Sequence, residues 1–238
     1  MTKTNQQKVK DFLINNGVII VMFILVIYTG FTSDNFFTKN NFMNILMNMS
    51  SRLVIALGIA GCVITAGCDL SAGRMIGFGA CISGMLLQRM DYSGKFFPDM
   101  QPLNVFVVAL IAMLVCAAFG TVTGFFIAYL NVPPFIATLA MMEIVYGIGL
   151  IVTNATPLGG YVEQYTNVSN GKFLGINYLI WIAIIVAAIT WFIFNMTRHG
   201  KYMYAIGGNP QAAEVAGVPV KATLILIYMK AAAMYGLA

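Results

Sequence analysis

Three ionisable residues, Asp69, Glu143 and Lys230, stand within or at the ends of long apolar stretches. Burying a charge is costly unless something pairs with it, so an ionisable group at membrane depth points to function by default. Asp69 lies in Thr65-Ala66-Gly67-Cys68-Asp69-Leu70-Ser71-Ala72-Gly73-Arg74. In that setting Asp69 or Ser71 can cap a following helix, with Gly67 and Gly73 allowing close backbone approach. The same residues, with Arg74, can also form a gate or pathway element that moves. Glu143 fits a lining position paired with a polar neighbour, or an ion-pathway group; a pair with Lys230 would account for two unexpected charges at once. Catalytic chemistry has no such footing. Cys62, Cys68, Cys81 and Cys116 lack His or carboxylate companions at ligand spacing, and His199 has no metal companions in the sequence. There is no Gly-x-x-x-x-Gly-Lys-Ser/Thr, so any ATP must be hydrolysed by a partner. We therefore expect no enzyme, no metal and no cofactor bound by this chain.

The elements that must hold these residues follow from composition. Of 238 residues, 60% are hydrophobic and 9% charged, against about 25% charged in a soluble domain. A soluble protein of this size has no core able to hide so much apolar side chain, whereas a bilayer acts as its solvent. Candidate spans are Gly17–Phe31, Leu53–Gly67, Ser71–Leu87, Leu103–Leu130, Phe135–Thr153 and Tyr178–Phe194, with a further run from about Ala222 that stops at Ala238. The fold class is thus an all-α polytopic transmembrane bundle, six complete spans plus a partial seventh. It reads as one domain over residues 1–238 that is C-terminally incomplete. Leu53–Gly67 is short for a span, which places Asp69 at membrane depth or just inside the headgroups. Lys3, Lys8, Lys10, Arg74, Arg198, Lys201 and Lys221 fall on one side, and Lys39, Arg52, Arg89, Lys95 and Lys172 on the other. That bias favours a cytoplasmic N-terminus. No basic stripe suggests nucleic-acid binding.

A second informative stretch lies beyond the sixth span. In Gly207-Gly208-Asn209-Pro210-Gln211-Ala212-Ala213-Glu214-Val215-Ala216-Gly217-Val218-Pro219, Asn209 suits an N-cap, Pro210 the first helical position, and Gly217 with Pro219 a stop. The spacing predicts a helix over Pro210 to Ala216. So short a helix does not stand alone in water and must dock, either on its own bundle and the lipid interface or on a cytoplasmic partner. Pro133-Pro134 predicts a turn, and Gly120-x-x-x-Gly124 close helix packing.

Arg198-His199-Gly200, Ala205-Ile206-Gly207-Gly208-Asn209-Pro210 and Ala212–Val218 resemble the coupling segment of bacterial sugar ABC-transporter permeases. The Gly-x-Asp-Leu-Ser-x-Gly pattern around Asp69 is similar to a signature of that family. Ala72 and Arg74, Leu86–Gln88 with Met90-Asp91, Phe97–Met100, and Ile127–Val132 with Pro134–Ile136 resemble its galactose and methyl-galactoside branch. The resemblance runs from about Phe37 onward. It implies a plasma-membrane permease working as a homodimer, with a two-cassette ATPase carrying ATP and Mg inside. It also implies a sugar-binding protein outside, and a coupling helix at residues 209–217 that draws on Gly207, Gly208, Asn209, Pro210, Ala213, Glu214 and Gly217. Ribose, xylose or autoinducer-2 permeases are the nearer alternatives, and an ion-coupled transporter or a membrane scaffold the farther ones. Glu143 and Lys230 depart from the branch pattern.

Overall fold

The computed structural model describes residues 5–33 and 35–238; Lys3 and Asp34 lie outside them. It is helical almost throughout. Contacts divide it into two compact units, Met1–Leu46 and Met47–Ala238. In the first, α1 (Asn5–Thr32) is followed by the start of α2 (Lys39–Ile64). Phe36 and Phe37 meet edge-to-face at 5.1 Å in the turn between them.

The start of α2 corrects the sequence reading, which leaves 34–52 as a loop. Thr38 Oγ1 accepts from the Asn41 N–H at 3.3 Å, an N-cap that begins the helix at Lys39. Asn40, Asn41, Asn44 and Asn48 therefore stand on a helix of 26 residues, about 39 Å long. The shortfall expected before Asp69 falls instead on α3 (Ala72–Leu86), which has 15 residues and is about 22 Å long.

The second unit continues with α4 (Val105–Tyr129), α5 (Pro134–Thr153) and α6 (Glu163–Asn170). A two-residue hairpin, β1 (Lys172–Phe173) with β2 (Ile176–Asn177), precedes α7 (Tyr178–Met196), α8 (Arg198–Gly208), α9 (Pro210–Val215) and α10 (Val220–Leu237). Caps explain the entries. Asn104 accepts from Phe106 N–H, and Asn177 from Leu179 N–H, while α5 opens with Pro134 at its first position after Pro133. Among the described residues α2, α4, α5, α7 and α10 are long and apolar enough to cross a membrane; α3 and Asn16–Thr32 are shorter apolar helices.

The core lies where α10 packs along α4 and α3. Cys62, Met75, Cys116, Val145, Met203, Tyr228 and Tyr235 are buried there. Small residues let the backbones meet. A Cβ at Gly120 would stand 2.5 Å from Ala232 Cβ, one at Gly124 2.7 Å from Ile225 Cα, and one at Gly236 2.7 Å from Ala112 O. Large apolar residues such as Phe106, Leu114 and Ile151 point outward, as expected where lipid is the solvent.

Candidate translocation and coupling site

The last turn of α2 closes with Gly67 N–H donating to Cys62 O at 2.9 Å and Ala66 N–H to Val63 O at 3.0 Å. This paired pattern ends a helix and turns the chain through a left-handed residue, here Ala66 at φ 56°. From Thr65 to Ser71 the chain is not helical. Asp69 organises that break. Its Oδ1 accepts from Ser71 N–H at 2.9 Å and Ser71 Oγ–H at 2.6 Å, and its Oδ2 accepts from the Tyr235 hydroxyl at 2.9 Å. One heptad earlier on α10, the Tyr228 hydroxyl donates to Cys68 O at 3.3 Å. Both tyrosines are fully buried.

Two expectations for the break need correction. Ser71 occupies the N-cap position of α3 but makes no side-chain cap, because its hydroxyl is turned to Asp69. Gly67 does permit a close approach, since a Cβ there would stand 2.6 Å from the Tyr228 hydroxyl; Gly73, by contrast, faces open space.

The height of the break is set by its neighbours. Tyr228 and Tyr235 lie about 12 and 22 Å along α10 from Val220 at 1.5 Å per residue. The Arg74 guanidinium lies 3.9 Å over the ring of Tyr146, about 18 Å along α5. Helix α3 therefore begins well past the first turns of α5 and α10, level with stretches inside those helices, and 15 residues suffice for it. Irregular backbone at such a level is tolerated where protein covers it or a polar cavity adjoins it. The two tyrosines and Ser71 supply the missing hydrogen-bond partners.

Helix α8 connects this break to the exposed turn beyond it. The sequence reading leaves 195–221 as a loop with one short helix, but Arg198–Gly208 is helical. Thr197 Oγ1 accepts from Gly200 N–H at 3.4 Å and caps it. A Cβ at Gly207 would collide with the carbonyl oxygen of Ile64 and stand 3.1 Å from its carbon. The backbone of α8 thus seats directly on the last turn of α2, immediately before the break. Gly208 meets nothing comparable.

Helix α9 is built as its spacing predicts, one residue shorter. Asn209 Oδ1 accepts from Ala212 N–H at 3.0 Å, and Pro210 takes the first position. Val218 N–H donates to Ala213 O and Gly217 N–H to Glu214 O, each at 3.0 Å, with Gly217 at φ 83°. Ala213 is buried against the protein, while Glu214 and Val215 are exposed, the latter 91%.

Glu143 and Lys230 are not brought together, and no ion pair joins them among the described residues. Glu143 is exposed on α5, one turn before Tyr146. Lys230 lines an apolar cavity of about 290 Å³ between α2, α7, α8 and α10, together with Gly61, Thr190, His199 and Met203. Among the described residues His199 Nε2 is buried with no hydrogen-bond partner, and burial with Lys230 nearby pushes its pKa down to about 4. The imidazole is therefore neutral at pH 7. The cysteines are free and no group of metal-binding residues forms among the described residues. Sequence reasoning missed Tyr146, Tyr228 and Tyr235, all in apolar runs where a tyrosine reads as packing.

A helix break inside the bundle, bonded to a buried tyrosine pair and overlain by α8, with a capped exposed helix following α8, fits a membrane transport subunit. The chain belongs to the family of branched-chain amino acid transport system permease components, whose model matches residues 41–238. It is 39% identical to the galactose/methyl galactoside import permease protein MglC of Escherichia coli over 99% of this chain and 72% of that protein. The MglC of Haemophilus influenzae is 40% identical over the same shares. The ribose import permease protein RbsC of Escherichia coli is 31% identical over 92% of this chain and 66% of that protein. No solved structure matches significantly. The chain is a multi-pass membrane permease subunit.

Proposed function

We propose that this chain imports galactose or methyl galactoside as one of two permease copies driven by a separate two-cassette ATPase, with a sugar-binding protein delivering the substrate from outside. The N-terminus and the α8–α9 segment then face the cytoplasm. The observation that carries this reading is the seat of Gly207 on the carbonyl end of α2. A push on the exposed face of α9 passes through α8 to the helix end that leads into the Asp69 break. Glu214 and Val215 offer the partner an acidic and an apolar contact, and Ala213 anchors the helix to its own protein. The break offers a small set of exchangeable hydrogen bonds: Tyr235 to Asp69 and Tyr228 to Cys68. Sliding α10 against α2 and α3 would exchange them without unfolding a span. Specificity rests mainly with the binding protein.

The test is uptake by cells lacking their own galactose importers that express the full-length permease with its neighbouring ATPase and binding protein. ATP-dependent accumulation of galactose, with ribose taken up at least about tenfold more slowly, supports the reading. Preferred ribose uptake would move the substrate to the other branch. Uptake that persists without ATP while a proton gradient is held would overturn the ATPase-driven mechanism.

A further inference from the structure

We infer that Arg74, Tyr146 and Glu143 form a transit site for the hydroxyl groups of a neutral sugar, on the open face where α3 and α5 run side by side. This inference rests on the sugar-importer reading and goes beyond it by assigning the contact residues. Three observations converge. Arg74 lies 3.9 Å over the Tyr146 ring, so two helices present one cluster. Glu143 stands one turn before Tyr146 on the same face of α5 and is the tenth of its 20 residues, at the middle of a span. All three are exposed, although an arginine and a carboxylate at that depth are not expected to face hydrocarbon; such groups face protein or a water-filled passage. The floor beside them is kept low, because Gly73 and Gly77 on α3 meet nothing within 4 Å.

The chemistry suits a polyol. A sugar hydroxyl both donates and accepts, so the guanidinium fork offers donors and the carboxylate offers acceptors to neighbouring hydroxyls, while the tyrosine ring offers an apolar face. Three partners on an open surface hold a substrate weakly, which a passage requires. The Arg74 position also couples this cluster to the break. It is three residues beyond Ser71, whose hydroxyl and N–H are bonded to Asp69, so a shift of the break would carry the guanidinium across the ring of Tyr146.

The experiment uses the complete transporter in proteoliposomes, with galactose and 2-deoxygalactose supplied by the same binding protein. Because that protein is constant, a changed ratio of the two uptake rates reports the permease alone. Glu143→Gln is expected to slow galactose uptake about tenfold, as for one weakened hydrogen-bonding contact, and to shrink the galactose preference; Tyr146→Leu, which removes the ring that holds Arg74, should do the same. A second measurement covers variants that fail to assemble. Glu143→Cys and Tyr146→Cys should react with a charged methanethiosulfonate, above the parent's own labelling, and galactose should slow the reaction. Ile144→Cys, exposed at the same depth but on another side of α5, should not react. An unchanged ratio, or labelling no greater than at Ile144→Cys, overturns the assignment. Disulfides forming between two copies through Glu143→Cys, without sugar protection, would overturn it in favour of a subunit contact. If the parent carries neither galactose nor ribose, the sugar-importer reading fails and this inference falls with it. A working parent with unaffected variants rejects this inference alone.

Discussion

The end of α2 and the end of α9 close with the same pair of backbone hydrogen bonds, yet the segments that leave them are held very differently. After α2, Asp69 and Cys68 are bonded to tyrosines 166 and 160 residues away. After α9 the contacts are local: the cap is Asn209 to Ala212, and the stop is Gly217 and Val218 to the helix just completed. The α9 turn is therefore a self-contained part that can be moved as a piece. The break is a property of the surrounding frame and changes whenever α10 moves against α2 and α3. A transporter needs both kinds of element, one that keeps its shape under load and one that exchanges partners.

Breaking the α9 side should produce the larger functional effect. Replacing Pro210–Ala216 by a Gly-Ser linker should reduce uptake about 100-fold, the upper range of coupling between sites, and Glu214→Arg should change it in the same direction. Neither should lower the thermal midpoint of the detergent-solubilised permease, because among these residues only Ala213 is buried. Uptake retained by the linker variant would remove α9 from the coupling path. The break should respond in the opposite way. Asp69→Ala leaves the buried Tyr235 hydroxyl and the Ser71 N–H without their acceptor, at a cost of about 3 kcal/mol. Tyr235→Phe alone should cost about 1 kcal/mol, and in the double variant the two losses should not add. Additive losses in chemical denaturation would mean the Tyr235–Asp69 bond contributes nothing of its own.

This contrast also explains how much of the molecule is legible in its sequence. The apolar runs are legible because hydrocarbon thickness dictates their length, and five of the seven fall close to helices of matching extent. Helix α9 is legible because Asn209, Pro210 and Gly217 each act on their own immediate backbone. The start of α2 is harder. Its asparagines suggest a loop, and the decisive signal is a single Thr38 cap. Helix α8 is hidden by Gly200, Gly207 and Gly208; the packing role of the first two appears only when Phe194 and Ile64 are seen against them. The partners of Asp69 cannot be found at all, since nothing local marks Tyr235 as the tyrosine that would reach it. Glu143 and Lys230 look like a pair because both are unexpected, but Arg74 lies nearer the face of Glu143, and Lys230 faces a cavity with His199.

The smallest effect offers the sharpest test of the comparison. Both helix ends use a left-handed residue, but α2 places Ala66 there at φ 56° and α9 places Gly217 at φ 83°. An L-residue with a Cβ costs about 1–2 kcal/mol in that region, and glycine avoids it. Glycine also loses more chain freedom on folding, which returns about 0.4–1 kcal/mol to alanine through the unfolded state. Ala66 is exposed, so its methyl group has little packing to lose. The two terms leave Ala66→Gly stabilising by about 0.5 kcal/mol and Gly217→Ala destabilising by about the same amount. Gly217 has open space around it, so a loss there comes from backbone strain and not from a clash. The first change should appear as a small rise in the midpoint of chemical denaturation, the second as faster amide exchange confined to α9. A loss of stability in Ala66→Gly would show that the break relies on the stiffness of alanine to aim Asp69 at Tyr235, and the two ends would then differ in their local design as well as in their partners.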